Sequence, residues 1–365
     1  MKPTFFIGMI SGTSRDGVDA VLVSFDHDQP EIREAICVPY PPDLAKSLHH
    51  QILTGRRLDP DVLEKLNGQL ADQFSHTARQ LLDKAAISTQ EIIAIGSHGQ
   101  TVWHDPDGPK PESIQLGDPQ RIAQQTGITT VGDFRRADIE AGGQGAPLAP
   151  LLHRALFRPA MGTRVVLNLG GIANVSIIQQ AGGVSGFDTG PANCLLDAWI
   201  QFHRGEPFDQ DGAWAAGGSV ISDLLQGMLA DPYFHRPAPK STGVEYFNLS
   251  WLKKFDLKPG LDTRDVQSTL AELSAISVAE SIRAHQPGDV LVCGGGVHNT
   301  NLLDRLRALL PDTPVRSTAD LGLDPDSIEA VLFAWLARER LAERPLDTRS
   351  ITGARTLVLL GTIKK

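Results

Sequence analysis

Cysteine is scarce in this 365-residue chain: Cys37, Cys194 and Cys293 stand far apart, and no CxxC occurs. An odd, scattered set excludes a disulfide framework and fits a reducing compartment. A cationic excess is missing too. Lys and Arg number 34 against 43 Asp and Glu, a net charge of −9. That speaks against a nucleic-acid partner, whose affinity comes largely from cations on phosphates, although a local cationic pocket stays open. No apolar run approaches the ~18 residues of a membrane span. The start, "MKPTFFIGMISGTS", breaks at Gly8 and passes into a hydroxyl-rich loop, unlike the apolar core of a secretion signal. The expectation is a cytoplasmic protein with no membrane or nucleic-acid partner.

Several catalytic signatures are also absent. There is no GxxxxGK[ST], so no P-loop, and no GxGxxG after the first strand, which disfavours a dinucleotide site. No GxSxG supports a nucleophile-elbow hydrolase, and no HExxH or Cys/His cluster supports a protein-bound zinc.

What is present is ordinary globular composition, 41% hydrophobic and 21% charged, in a length that predicts roughly two domains. Periodicity predicts strands at 4–10, 19–25 and 31–38, then helices at 43–54 and 60–85. "EIIAIGSHGQTV" reads as a buried strand, "SIQLGDPQRIAQQTG" as strand, turn and helix, and "ITTVGDFRRAD" as a strand with charges after its end. The pattern then restarts. "RVVLNLGGIANVSIIQ" (164–179) is strand, glycine turn, strand, and "GVSGFDTGPANCLLDAWIQFHRG" adds a strand, a turn and a helix. A helix at 263–286, the strand–turn–helix "DVLVCGGGVHNTNLLDRLRALL", a helix at 326–343 and a closing strand in "RTLVLLGTI" follow. Three meandering strands followed by helix and strand units therefore occur twice. This predicts an α/β protein of two domains around a central cleft, with boundaries at 1–135 plus about 344–365, and about 136–343.

A plain hairpin needs only about two turn residues, yet Ser11, Gly12, Thr13, Ser14, Asp16 and Gly17 separate the first two strands. Glycines let backbone N–H groups converge on an anion, and hydroxyls add donors. The turns at 188–190 and 294–296 have the same chemistry. A tight turn explains any one of them; three in a duplicated α/β frame point to phosphate. Strand, hydroxyl loop, strand, with a later "DTG" and then "GGG", resembles the sugar kinase, chaperone and actin superfamily, whose domains are ribonuclease H-like. There two hairpin loops grip the phosphates and a third glycine turn lies against the adenosine.

The segments "GMISGTSRDGVDAVL", "GSHGQTVWH", "QLGDPQRIA", "VGDFRRADIEAGGQGAPLAP", "NLGGIANVS", "FDTGPANCLLDAW" and "CGGGVHN" together closely resemble the anhydro-N-acetylmuramic acid kinase family. The resemblance runs from residue 7 to "TGARTLVLLG", nearly the whole chain. It implies a homodimeric enzyme that uses ATP, Mg²⁺ and water to open the 1,6-anhydro bridge of the sugar and phosphorylate O6. It makes Gly12, Thr13, Ser14, Arg15, Asp16, Gly17, Val18 and Asp19 an ATP-binding segment, joined by Gly170, Gly171, Thr189, Gly190, Gly294, Gly295 and Gly296. Asp188 matches the catalytic base; an Asx turn or a helix N-cap is the competing role for it. His98, Gln100, Thr101, Asp133, Arg135 and Glu329 are candidates for the sugar, with Arg135 facing its lactyl carboxylate. Competing roles are an Arg135–Asp138 ion pair, a core histidine at His98 and a solvated helix face at Glu329. No residue is assigned to a protein-held metal. The chain departs from the family pattern at Arg15, usually Leu or Met, and at Ala192, usually Gly. Two alternatives stay open: a kinase for another anhydro sugar such as levoglucosan, and a nucleotide switch of the actin or chaperone type.

Overall fold

Every residue of β1 (Phe5–Ser11) is buried, as its unbroken apolar run requires of a central strand covered on both faces. It pairs antiparallel with β2 (Gly17–Asp26), which pairs antiparallel with β3 (Gln29–Pro39). β3 alternates exposed and half-buried residues, the pattern of a sheet edge. On its other side β1 runs parallel to β4 (Ile92–Asp105), and β4 parallel to β6 (Thr130–Gly132). β5 (Glu112–Leu116) folds back on β4 as a hairpin partner. The second sheet repeats the plan. β7 (Thr163–Leu169), β8 (Ile172–Gln179) and β9 (Val184–Pro191) form an antiparallel meander. β10 (Asp289–Cys293) lies parallel to β7, and β11 (Val315–Ser317) parallel to β10. The orders β3-β2-β1-β4-β6 and β9-β8-β7-β10-β11 are the same topology twice; β12 (Thr362–Lys364) extends the first sheet beside β6. The α/β class and the doubled three-strand meander expected from the sequence are both present.

This computed structural model describes residues 5–12, 17–26, 29–53, 59–238, 240–255, 257 and 260–365. The chain divides into two compact units: Met1–Leu156 with Ser327–Lys365, and Phe157–Asp326. Residues 136–156 and 327–343, expected in the second domain, lie in the first unit. The reason is packing. A Cβ on Gly8 of β1 would collide with the Ala330 carbonyl, and one on Gly96 of β4 with that of Phe333. These two glycines let the Ile328–Leu341 helix lie with its backbone directly on the first sheet. On the opposite face Ile7 and Met9 of β1 meet Leu70, Phe74 and Leu81 of the Pro60–Ala85 helix. That helix starts where Asp59 accepts the Asp61 N–H at 3.0 Å, with Pro60 in its first turn.

In the second unit, β7, β8 and β10 bury Val165, Leu167, Val175 and Val292 against Ala275, Val278 and Ile282 of the Thr263–Arg283 helix. The described residues between Gly205 and Asp262, which show no clear periodicity, fold around Trp251, Phe247 and Tyr233 in a second, aromatic core with short helices. The closing strand is shorter than expected. "RTLVLLG" makes only an isolated bridge, Leu346 to Val358, before the three residues of β12.

Candidate active site

In the first unit Gln100 holds the end of β1. The Ser11 hydroxyl donates to Gln100 Oε1 at 2.7 Å, and Gln100 Nε2 donates to the Gly12 and Thr101 carbonyls at 3.4 and 3.3 Å. Gln100, a candidate for the sugar, is thus buried and spends its amide on backbone and on Ser11. Thr101 Oγ1 likewise accepts from Gln115 at 3.2 Å. Thr13, Ser14, Arg15 and Asp16 lie outside the described residues. Gly17 allows β2 to touch β3, since a Cβ there would stand 2.5 Å from the Val38 carbonyl. Val18 is core, and Asp19 sits in β2 opposite Ile10 and Cys37.

His98 and Arg135 form one device. His98 Nε2 accepts from Arg135 Nε and Nη2 at 3.0 and 2.9 Å, and its other nitrogen, Nδ1, lies 3.1 Å from the Gly99 carbonyl, to which it donates. The ring stacks on Phe333 at 4.5 Å. Burial, then the Arg135 charge, hold His98 well below the usual imidazole pKa, so it is neutral. Arg135 Nη1 donates to the Gly145 carbonyl at 3.1 Å. One N–H remains on each terminal nitrogen, a pair that a carboxylate can accept together. No carboxylate pairs with this guanidinium among the described residues, and burial pushes its pKa down to about 10. The competing Arg135–Asp138 pair is not formed. Asp138 accepts instead from the Gly145 N–H at 2.7 Å and the Thr352 hydroxyl at 2.8 Å. Asp133, at φ 56°, pairs with exposed Arg136 at 2.6 Å. Glu329 is exposed, and its charge acts on Arg135.

In the second unit Asp188 sits on β9, the edge of its sheet, where Tyr233, Lys240 and Thr242 bond to it. Its N–H donates to the Lys240 carbonyl at 3.0 Å, its carbonyl accepts the Tyr233 hydroxyl at 2.7 Å, and its Oδ2 accepts the Thr242 N–H at 3.0 Å. Burial, which outweighs the Thr242 bond, raises the carboxyl pKa to about 6. Asp188 caps no helix. The Asn193–Arg204 helix begins at Ala192 with no side-chain cap, and the Gly170 and Gly171 carbonyls accept its first N–H groups. Ala192 has φ −110°, so the family's glycine is not needed there. The Thr189 hydroxyl is fully buried on the Ala173 carbonyl at 3.3 Å, and Gly190 makes room for Phe234 and Ser277. The Thr189 side chain and the Cα of Gly190 are thus enclosed by neighbours within the second unit.

The third glycine turn borders a cavity of about 440 Å³ lined by Gly295, Asn193, Leu196, Asp197, Phe208 and Asn299, among others. Gly294 and Gly296 are pressed against Asn168 and Leu169, but a Cβ on Gly295 would meet nothing within 4 Å. Gly295 is therefore the member of the triple that faces open space.

A sequence model of the family described as anhydro-N-acetylmuramic acid kinase matches residues 4–365. The chain belongs to this family. Two curated members, from Xanthomonas campestris pv. campestris strains 8004 and ATCC 33913, are each 50% identical over 363 residues, covering 98% of this chain and 96% of theirs; both are named anhydro-N-acetylmuramic acid kinase. Among solved structures, component A of the Acidaminococcus fermentans (R)-2-hydroxyglutaryl-CoA dehydratase aligns at TM-score 0.49 and 12% identity, covering 93% of this chain and 99% of its own.

Among the described residues no three His, Cys, Asp or Glu side chains gather at one point. That suits a Mg²⁺ held mainly by phosphates and water, which needs one or two carboxylates. Tyr233 and Thr242, the partners of Asp188, carry no local sequence signal, because they lie 45 and 54 residues from it. Asn193 and Asp197 carry a local signal, an i, i+4 polar pair in the first turns of the Asn193–Arg204 helix. No helix among the described residues is long and apolar enough to cross a membrane.

Proposed function

We propose that the chain is an ATP-dependent kinase that opens the 1,6-anhydro ring of anhydro-N-acetylmuramic acid with water and phosphorylates O6, releasing N-acetylmuramic acid 6-phosphate and ADP. The Asp188 carboxyl carries this reading. Thr242 holds one oxygen, and the pKa of about 6 makes a base that is ionised at neutral pH yet stronger than an ordinary carboxylate. O6 of the anhydro sugar has no proton to lose, so the base acts on water. Water attacks the anomeric carbon and its proton passes to Asp188. The C1–O6 bond breaks with its electron pair on O6, and O6 attacks the γ-phosphorus as ADP leaves. General-base help is worth about 10²–10⁴ in rate. Positioning and charge neutralisation supply much of the rest, as in other phosphoryl transfers.

Arg135, with one N–H left on each terminal nitrogen and no carboxylate paired to it among the described residues, suits a sugar that carries a carboxylate, which levoglucosan lacks. The cavity beside Gly295 takes the nucleoside. Asp19 would hold the water shell of a Mg²⁺ bound with ATP, and that ion would supply neutralisation of phosphate charge. The chain works as a cytoplasmic homodimer in this reading; light scattering tests the dimer.

The deciding experiment is ADP release across a panel of anhydro sugars with product mass. The expected product of the muramic substrate is heavier by one phosphate and one water. A product that keeps the anhydro ring overturns the hydrolytic half. Faster use of levoglucosan shifts the substrate, and ATP turnover indifferent to any sugar favours a nucleotide switch.

A further inference from the structure

The cavity beside Gly295 has a feature that its role as a nucleoside site does not by itself explain. Most of its polar side chains already have partners. Asn193 Nδ2 donates to the Leu169 and Gly170 carbonyls at 3.2 and 2.9 Å. Asp209 accepts the Trp214 and Ala215 N–H groups at 2.8 and 2.9 Å, Asn299 accepts the Leu302 N–H at 3.0 Å, and His298 pairs with Asp326 at 2.7 Å. Asp197 differs: among the described residues it accepts no hydrogen bond and pairs with no cation. Burial and the nearby Asp209 charge raise its pKa to about 7, as fits a carboxyl left without donors. Such a group is costly unless a ligand supplies them.

Position narrows the ligand group. Asn193 binds the β7–β8 glycine turn, the phosphate end of the proposed nucleotide site. Asp197 lies one helical turn further on the same face, about 6 Å along the axis. That is the step from the phosphates of a nucleotide to its ribose. Asp197, Asp209 and Asp211 would repel phosphate, so this part of the cavity is its nucleoside end. Phe208, 53% exposed on the same wall, offers a flat face to a base.

We propose that Asp197 accepts the ribose hydroxyls of the nucleotide and selects ribonucleotides over deoxyribonucleotides. The proposal rests on the reading of this cavity as the ATP site. It is tested by calorimetry with ATP, 2′-deoxy-ATP and 3′-deoxy-ATP on the wild type, Asp197→Ala, the near-isosteric Asp197→Asn, and Gly295→Leu as a blocking control. The wild type is expected to bind ATP at least about 10-fold tighter than one of the deoxy forms, the scale of a hydrogen bond to a charged acceptor. Asp197→Ala should bring all three within about twofold by weakening ATP alone. If Asp197→Ala does not fold, the same loss of preference is expected in Asp197→Asn, in smaller degree. A wild type indifferent to the deoxy forms, or a folded variant that keeps the full preference, overturns the proposal. Gly295→Leu separates the two levels. ATP binding lost in Gly295→Leu, with the preference kept in the Asp197 variants, overturns the ribose assignment and leaves the site standing. Unchanged ATP binding in Gly295→Leu overturns both.

Discussion

The Asp188 carboxyl ties chemistry to stability at a single residue. Burial raises its pKa to about 6, so its ionised form is disfavoured in the fold. Above pH 6 the native state carries that penalty; below about pH 4 the carboxyl is protonated folded or unfolded, and the penalty vanishes. Asp188→Asn should therefore melt higher than the wild type at pH 8, with the gain fading towards pH 4 in thermal scans. The same variant should lose turnover by about 10² or more while binding ATP and sugar, and the wild-type rate should fall as pH drops through about 6. An Asn variant with near-normal turnover removes Asp188 from the base role. Arg135 invites a second test. Arg135→Met should weaken binding of the muramic substrate by about 10- to 100-fold, since it removes a charge-assisted bidentate contact. ATP affinity should be unchanged in calorimetry. His98→Ala should weaken the same sugar binding in smaller degree, because the guanidinium then loses the ring that orients it.

Between residues and units, two strand glycines decide where a helix goes. With no Cβ at Gly8 or Gly96, the Ile328–Leu341 helix lies against β1 and β4. Gly96→Ala drives a methyl into the Phe333 carbonyl, which cannot yield as a side-chain tip can. Overpacking of this kind costs about 1–3 kcal/mol or more, read as a lower urea midpoint; Gly127→Ala, open on all sides but at φ 70°, is a milder comparison. Periodicity foretold most elements well: the helix expected at 60–85 is Pro60–Ala85, and that at 43–54 is Pro42–Leu53. It overreached in "RTLVLLGTI", where, among the described residues, β-favouring residues find one isolated bridge at Val358 and then only three-residue β6. Strand propensity measures fit to a neighbour, and the neighbour is short.

At the level of the molecule, the two units differ in how the chain makes them. The second is one continuous stretch, Phe157–Asp326, with its own sheet and cores. The first needs both chain ends, because residues 327–365 supply the Ile328–Leu341 helix and β12. Residues 157–326 expressed alone should therefore fold cooperatively, with dispersed amide signals, and should keep measurable ATP affinity. Residues 1–156 alone should not, since both glycine-floored strands would face water; adding 327–365 as a separate peptide should restore structure. A folded 1–156 fragment would show that the helix is an addition rather than a layer of the core.

The residue types of the candidate site were legible in the order of residues alone. Hydroxyl loop, glycine turns and "DTG" are local devices, and their chemistry follows from residue type and spacing. The doubled meander was legible for the same reason, because strand alternation is written in each segment. What the sequence did not determine are the long-range partners. Asp188 has a raised pKa because folding buries it, against the lowering effect of the Thr242 N–H, which comes from 54 residues away. Arg135 is oriented by His98, 37 positions earlier. Of three successive glycines, only Gly295 faces a cavity, because Asn168 and Leu169 of another strand crowd the other two. Residue identity sets which chemistry is available; which group is buried, paired or left free depends on chain segments that only folding brings together.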